Sequence, residues 1–390
     1  MIPLTKPLLD NEDFQAVLAP LQSGWLVQGP RVAQFEESVL RLCSAGHAVA
    51  TSSCTTALHL TLVAAGIGPG DTVLVPSFTY VATANAVEHA GGRPVFVDID
   101  PETLNISIAH LDRVLAEGKA AGRPVPRALL PVHLFGLCAD MPEILKVADR
   151  YSLTVIEDAA CALGSSVQDQ SAGTFGLAGC FSFHPRKLIT TGEGGMVVTN
   201  DESMAHRLRI LRDHGAQSSD HNRHLRGQGE MPDFEDVGYN YRMTDIQGAL
   251  GCSQMGKLFH IIKERRRLAE AYAGLFANVP WLRLPAAPEG FQHTYQSFVC
   301  RVSIKGLSVP ETGKMRNSLM RSLAEAGISS RPGTHAVHLL GYYRRRYGFH
   351  PEDFPEAWLA HHNTITLPLY PGMTEQEQDA VAAAVRGFIP

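Results

Sequence analysis

Lys187 is the residue with the clearest chemical potential. It lies in the run CFSFHPRKLITTGEGG over residues 180–195, after an apolar stretch and before a turn holding Gly192, Gly194 and Gly195. Alone, such a lysine reads as an ordinary surface side chain. In an apolar pocket or beside another cation its pKa falls, and the neutral amine can then form an imine with an aldehyde. The glycines would let a planar ring approach the backbone. A pyridine-ring cofactor also needs a carboxylate at its ring nitrogen, to keep the ring protonated and electron-accepting. Asp158, in VIEDAA over 155–160, stands at a strand-like end and supplies one, although it also reads as a helix N-cap. Glu157 alternates to the opposite face. A phosphate is held by N–H groups at a helix N-terminus and by hydroxyls. Cys54, Thr55 and Thr56 precede an apolar helical run at 57–62, where capping alone would also explain them, and Ser182 is close to Lys187 in sequence. Tyr80 follows another strand-like run and offers a ring for stacking. Together these residues describe a seat for pyridoxal 5′-phosphate (PLP).

The elements that must position them can be read from periodicity. Short apolar runs at 72–75, 94–97, 128–132, 154–156, 180–183 and 196–199 are bounded by Gly, Pro and Asp, as strands buried on both faces are. Helical spacing over 32–43 and alternation with other helical segments predict an α/β fold with a mostly parallel sheet and right-handed crossovers. Ligands in such sheets bind beyond the carboxyl ends of strands, where Asp158 and the residues after Val75 fall. A helical region over about 244–278 leads to a smaller C-terminal unit, with strands over 295–303 and 365–367 and a helix over 311–327. The polar stretch 212–238 is long for a loop inside a compact domain, which suggests a lid or a subunit contact.

Composition narrows the functional classes. A chain of 390 residues suits two or three domains, and 45% hydrophobic with 19% charged residues fits a globular protein with a large core. The formal net charge of -5 argues against nucleic acid as the main partner. The basic run at 263–267 reads as a solvated helix face. Seven scattered cysteines without a C-x-x-C pair point to reduced thiols. No signal-peptide core and no membrane-length apolar stretch is visible, so a cytoplasmic location is expected. The pairs His221/His224 and His335/His338 have metal-like spacing but no evident third ligand.

Several stretches carry a family resemblance: WLVQGP at 25–30 with Phe35 and Glu36, GDTVLVPS at 70–77, PVHLFG at 131–136, IEDAA at 156–160, FSFH at 181–184, Lys187, TTGEGG at 190–195 and GYNYRMTD at 238–245. In this order and spacing the chain resembles the DegT/DnrJ/StrS family of PLP-dependent nucleotide-sugar aminotransferases, which share the aspartate-aminotransferase fold (fold type I). The resemblance implies a large PLP-binding domain over 1–250, then a bridging helix and small α/β domain over 251–390. It implies that Lys187 carries the cofactor as an imine and shuttles the substrate proton, that Asp158 pairs with the ring nitrogen, and that Tyr80 stacks on the ring. Cys54, Thr55 and Ser182 would hold the phosphate, joined by Asn240 from the neighbouring subunit of a homodimer. Gly29, His133, Glu193, His335 and His338 match substrate-side positions. Cys161 stands where many relatives have a glutamine bonded to the ring hydroxyl, a contact that a thiol makes weakly and that His133 could take over. The implied reaction moves an amino group from glutamate or glutamine to the C3 or C4 keto group of a nucleotide-linked deoxysugar. A keto-cyclitol acceptor is an alternative, as is a regulatory relative without turnover. Lys187 argues against the family branch that carries histidine there and removes a sugar hydroxyl.

Overall fold

A computed structural model describes residues 1–217 and 233–389. Seven strands form the central sheet, in the spatial order His47–Thr51, Gly195–Thr199, Ala178–Ser182, Thr154–Asp158, Ala128–Leu129, Thr72–Pro76 and Arg93–Val97. Pairing is parallel from Ala178–Ser182 through to Arg93–Val97. Gly195–Thr199 alone runs the other way, antiparallel to both of its neighbours. The carboxyl ends of six strands therefore meet along one edge, together with the start of the seventh. The expected strand over 128–132 shortens to Ala128–Leu129, with an isolated bridge joining Val132 to Asp158.

Helices cover both faces, which is why the strands carry few polar residues. One face packs against Pro30–Cys43 and the 31-residue helix Asp245–Leu275, burying Phe35, Phe181 and Phe183 completely. A Cβ on Gly251 would lie 2.8 Å from the Phe35 ring, so glycine permits this close helix crossing. Truncating a ring such as Phe35 would cost about 3–5 kcal/mol. The other face packs against Cys54–Ala64, Ala82–His89 and Glu202–Arg212.

Distant segments are joined by carboxylates at helix N-termini, where unpaired N–H groups need acceptors. Asp245 opens its own helix and also accepts from Arg31 N (3.2 Å) and Val32 N (3.0 Å) of Pro30–Cys43. Buried Asp98 does the same for Glu356 N and Ala357 N of Pro355–Asn363. The basic run at 263–267 is not simply a solvated face. Arg265 is fully buried and donates to the carbonyls of Tyr295, Gln296 and Leu369, and burial pushes its pKa down to about 10. Through it the long helix grips a three-stranded antiparallel sheet of Leu282–Arg283, Phe298–Val302 and Thr364–Leu367, backed by Val309–Glu325 and Glu375–Gly387.

The segment after this unit's first helix returns to the central sheet. Arg331 bridges to Thr366, and His335–Ala336 then pairs antiparallel with Phe78–Thr79 beside Tyr80. Ala336, Val337, Tyr343 and Ala357 join the core of the large sheet. In the polar stretch 212–238 the two arms join each other, through bridges Asp213–Asn240 and Ala216–Phe234. Gly215 has φ +88°, and a Cβ there would overlap the Asp236 carbonyl, so only glycine fits this crossing. Its centre, with His221 and His224, lies outside the described residues. Among the described residues no helix is long and apolar enough to cross a membrane.

Candidate active site

The strand Thr154–Asp158 ends in two carboxylates that alternate across the sheet. Glu157, fully buried, accepts from the N–H groups of Gly173 (2.7 Å), Phe175 (2.7 Å) and Gly176 (2.8 Å) and contacts His133 Nε2 at 2.9 Å. Because Ala139 N–H donates to His133 Nδ1 at 3.0 Å, this ring takes the neutral tautomer with its proton on Nε2. Asp158 turns to the opposite side, toward Thr83 and the Lys187 amine. It accepts from the Thr83 hydroxyl (2.7 Å) and more weakly from Ala160 N–H (3.2 Å). Burial pushes its carboxyl above the usual range, opposed by Thr83, Ala160 and the Lys187 charge. A cation placed against Asp158 would restore its ionised form.

Lys187 arrives from the neighbouring strand Ala178–Ser182. Its Nζ donates to Cys161 Sγ at 3.0 Å, just beyond Asp158 in sequence. The expected fall in its pKa does not occur in this arrangement. Burial pushes the ammonium down, but Cys161, Cys54 and Asp158 outweigh that and raise it. The glycines after it also differ from expectation. A Cβ on Gly195 would lie 2.3 Å from the Ser53 carbonyl oxygen, and one on Gly194 2.8 Å from Met243. They let the returning strand and the helix cap pack closely. Gly192, at φ +82°, makes the turn.

Cys54–Ala64 begins at the same sheet edge, capped by Ser53 and Thr56 in a reciprocal box. The capping box satisfies the N–H groups of Ser53 and Thr56, whereas those of Cys54 and Thr55 have no protein partner among the described residues. Cys54 can serve a phosphate only through this N–H, because its thiol points to the Cys180 carbonyl at 3.6 Å. That contact sets the helix start against the strand that ends in Ser182. Tyr80 is 64% exposed, and among the described residues its ring neighbour is His335, at 6.5 Å between ring centres.

The remaining expected residues separate into groups. Glu193 is exposed in the turn after Lys187, its carbonyl accepting from Gln247. His335 is exposed beside Tyr80, with its pKa lowered by burial and by Arg331. Asn240 is exposed in the segment whose Tyr241 carbonyl accepts from Ser52 N–H, next to the helix start. His133 is corrected: fully buried and bonded to Glu157, it points away from Asp158 and cannot replace the missing glutamine contact. His338 is also corrected. It is completely buried against Phe354 and Phe349, leaving no face for a substrate. Gly29 packs on the Trp25 ring and lines a separate cavity of about 250 Å³ with Glu36, Arg209 and Arg212, to which neither Lys187 nor Asp158 contributes. Thr83 joins Asp158 without having been expected there, although its i, i+4 spacing from Thr79 is visible in the sequence.

The residues fit PLP. A half-satisfied buried carboxylate, a lysine amine, a helix N-terminus with spare N–H groups and an uncovered tyrosine ring converge on one sheet edge. The fold and this site define a fold-type-I, PLP-dependent aminotransferase. Residues 7–386 match the DegT/DnrJ/EryC1/StrS aminotransferase family, and the chain belongs to it. It is 38% identical over 389 residues to the spore coat polysaccharide biosynthesis protein SpsC of Bacillus subtilis, covering 100% of this chain and 97% of that one. It is 37% identical over 390 residues to the GDP-perosamine synthase of Caulobacter vibrioides, covering 98% and 97%. Among solved structures it resembles Spr1654 of Streptococcus pneumoniae in its PMP form, with TM-score 0.89, 28% identity and 99% and 98% coverage. Helicobacter pylori PseC, an aminotransferase involved in the biosynthesis of pseudoaminic acid, gives TM-score 0.88, 28% identity and 99% and 98% coverage.

Proposed function

We propose that this enzyme transfers an amino group from glutamate or glutamine to the C3 or C4 keto group of a nucleotide-linked deoxysugar, as a cytoplasmic homodimer. The observation that supports the chemistry is that the Lys187 amine bonds Cys161 Sγ and acts electrostatically on both Asp158 and Cys54, at the carboxyl ends of their strands and the start of a helix. The sugar class is supported by relatives named for polysaccharide and perosamine biosynthesis. PLP, when bound, supplies the electron sink for amino-group exchange. Asp158 holds a proton at the ring nitrogen, and Thr83 fixes the orientation of that carboxylate. Lys187 Nζ takes the proton from the donor carbon and later returns one to the sugar carbon. Cys54 and Thr55 N–H groups, with Ser182, bind the phosphate, and Asn240 reaches the neighbouring subunit's site from the segment beside Ser52. Gly29, Glu193 and His335 are the substrate-side candidates. A product assay by mass spectrometry, offering glutamate with nucleotide-linked 3-keto and 4-keto sugars and a keto-cyclitol, tests this reading. Amination of a nucleotide-linked sugar is expected. Amination of the cyclitol alone, or of nothing, would overturn it.

A further inference from the structure

The Lys187 amine and the Cys161 thiol are two nucleophiles 3.0 Å apart, with Nζ donating to Sγ. Backbone on both sides fixes that contact. Thr154–Asp158 and Ala178–Ser182 are adjacent parallel strands, with Asp158 opposite Cys180. Cys161 follows the first strand in a turn closed by Ala162 N–H on the Ala159 carbonyl (2.9 Å), and Ala159 N–H bonds the Cys180 carbonyl (2.9 Å). Lys187 follows the second strand in a turn closed by its own N–H on the His184 carbonyl (2.8 Å). The other six cysteines are placed differently. Cys43, Cys54, Cys138, Cys180 and Cys300 are buried, and Cys252 turns its Sγ to the Arg31 carbonyl at 3.6 Å. Reactive thiols sit partly exposed beside a cation, whereas thiols buried in apolar surroundings are inert. Cys161, half-buried against the Lys187 amine, has the first setting.

We propose that Cys161 is an oxidation site whose sulfenic acid is captured by Lys187 as a reversible sulfur–nitrogen bridge. Its consequence for catalysis rests on Lys187 being the lysine that joins PLP. Hydrogen peroxide oxidises the thiol by two electrons: an S–O bond forms, the O–O bond breaks and water leaves. Lys187 Nζ, after releasing a proton to solvent, then attacks that sulfur. The S–N bond forms, the S–O bond breaks and a second water leaves, as in the known condensation of a sulfenic acid with a nitrogen. An external dithiol reverses the bridge, becoming a disulfide while the Cys161 thiol and the Lys187 amine return. Because the bridge uses the amine, it and the bond to PLP exclude each other. Cys54 is the competing trap for the sulfenic acid, but its Sγ is buried on the Cys180 carbonyl at 3.6 Å.

Peptide mapping by mass spectrometry after hydrogen peroxide treatment tests the bridge, on holoenzyme loaded either with pyridoxal phosphate or with pyridoxamine phosphate. In the pyridoxamine form, where Lys187 is free, the Cys161 and Lys187 peptides should be joined with the loss of two hydrogens. Dithiothreitol should separate them and restore the turnover lost to peroxide. The pyridoxal form should show no joined peptides. Cys252→Ser should keep the bridge, and Cys161→Ser should lose it. Cys161 found as a sulfinic acid beside unmodified Lys187 would overturn the proposal, as would a disulfide between Cys161 and Cys54. Equal bridging in both cofactor forms would instead uphold the bridge and sink the bond between Lys187 and PLP.

Discussion

Glu157 and Asp158 are neighbours in sequence, both buried, yet on opposite faces of one strand they do different work. Glu157 has three backbone donors and a histidine, so its acceptor capacity is used within the fold. Asp158 has one strong donor and one weak one, and burial lifts its pKa. A saturated buried carboxylate stabilises the fold, whereas an unsaturated one at a strand end is reserved for a ligand. The difference comes from surroundings rather than residue type.

Separating activity from stability at these two positions should break or uphold the comparison. Asp158→Asn is expected to slow turnover on the order of 100-fold or more, measured with saturating donor and acceptor. Stability without cofactor should be unchanged or higher, because burial already disfavours that charge. Glu157→Gln should do the reverse, lowering unfolding free energy by about 2 kcal/mol in denaturant titration, because the amide cannot accept from all of the donors the carboxylate satisfies, while leaving turnover per folded molecule near wild type. Equal activity losses in both variants would end the distinction.

His338 sharpens the comparison from another side. Neither of its ring nitrogens reaches a partner at good geometry among the described residues, yet phenylalanines wall it in. Burial lowers its pKa from 6.5 to about 4, against the opposing charges of Asp98 and Asp353. The unfolded ring therefore binds a proton first on acidification, and stability falls as pH drops from 6.5 toward 4. His338→Phe should remove about 2 kcal/mol of that acid loss and leave the glutamate dependence unchanged. An altered KM for glutamate or for the sugar would return His338 to the substrate side. The smallest effect belongs to Thr83→Val, which removes the strong donor to Asp158. Turnover should fall several-fold, equivalent to about 1 kcal/mol, with Thr83→Ser restoring most of it.

Much of this site was legible in the sequence because its parts follow short apolar runs. Asp158 and Ser182 end their strands, Tyr80 follows one directly, and Cys54–Ala64 announces its start with a Ser–Thr cap. Partners set by long-range packing were not legible. His133 carries the right chemistry, but just before the turn Leu134–Gly136 its ring is directed to Glu157. His338 is three residues from His335, yet one packs among phenylalanines and the other is exposed. Arg265 looked like part of a solvated basic face until the carbonyls of 295, 296 and 369 converged on it. Periodicity describes one element at a time, whereas these side chains owe their roles to contacts between elements.

The most direct measurement is borohydride reduction of the holoenzyme followed by peptide mapping. A stable phosphopyridoxyl adduct is expected on the peptide carrying Lys187, and it should be absent from the Asp158-bearing peptide and from the Lys187→Ala variant. An adduct on a different lysine, or full turnover by Lys187→Ala, would contradict the account.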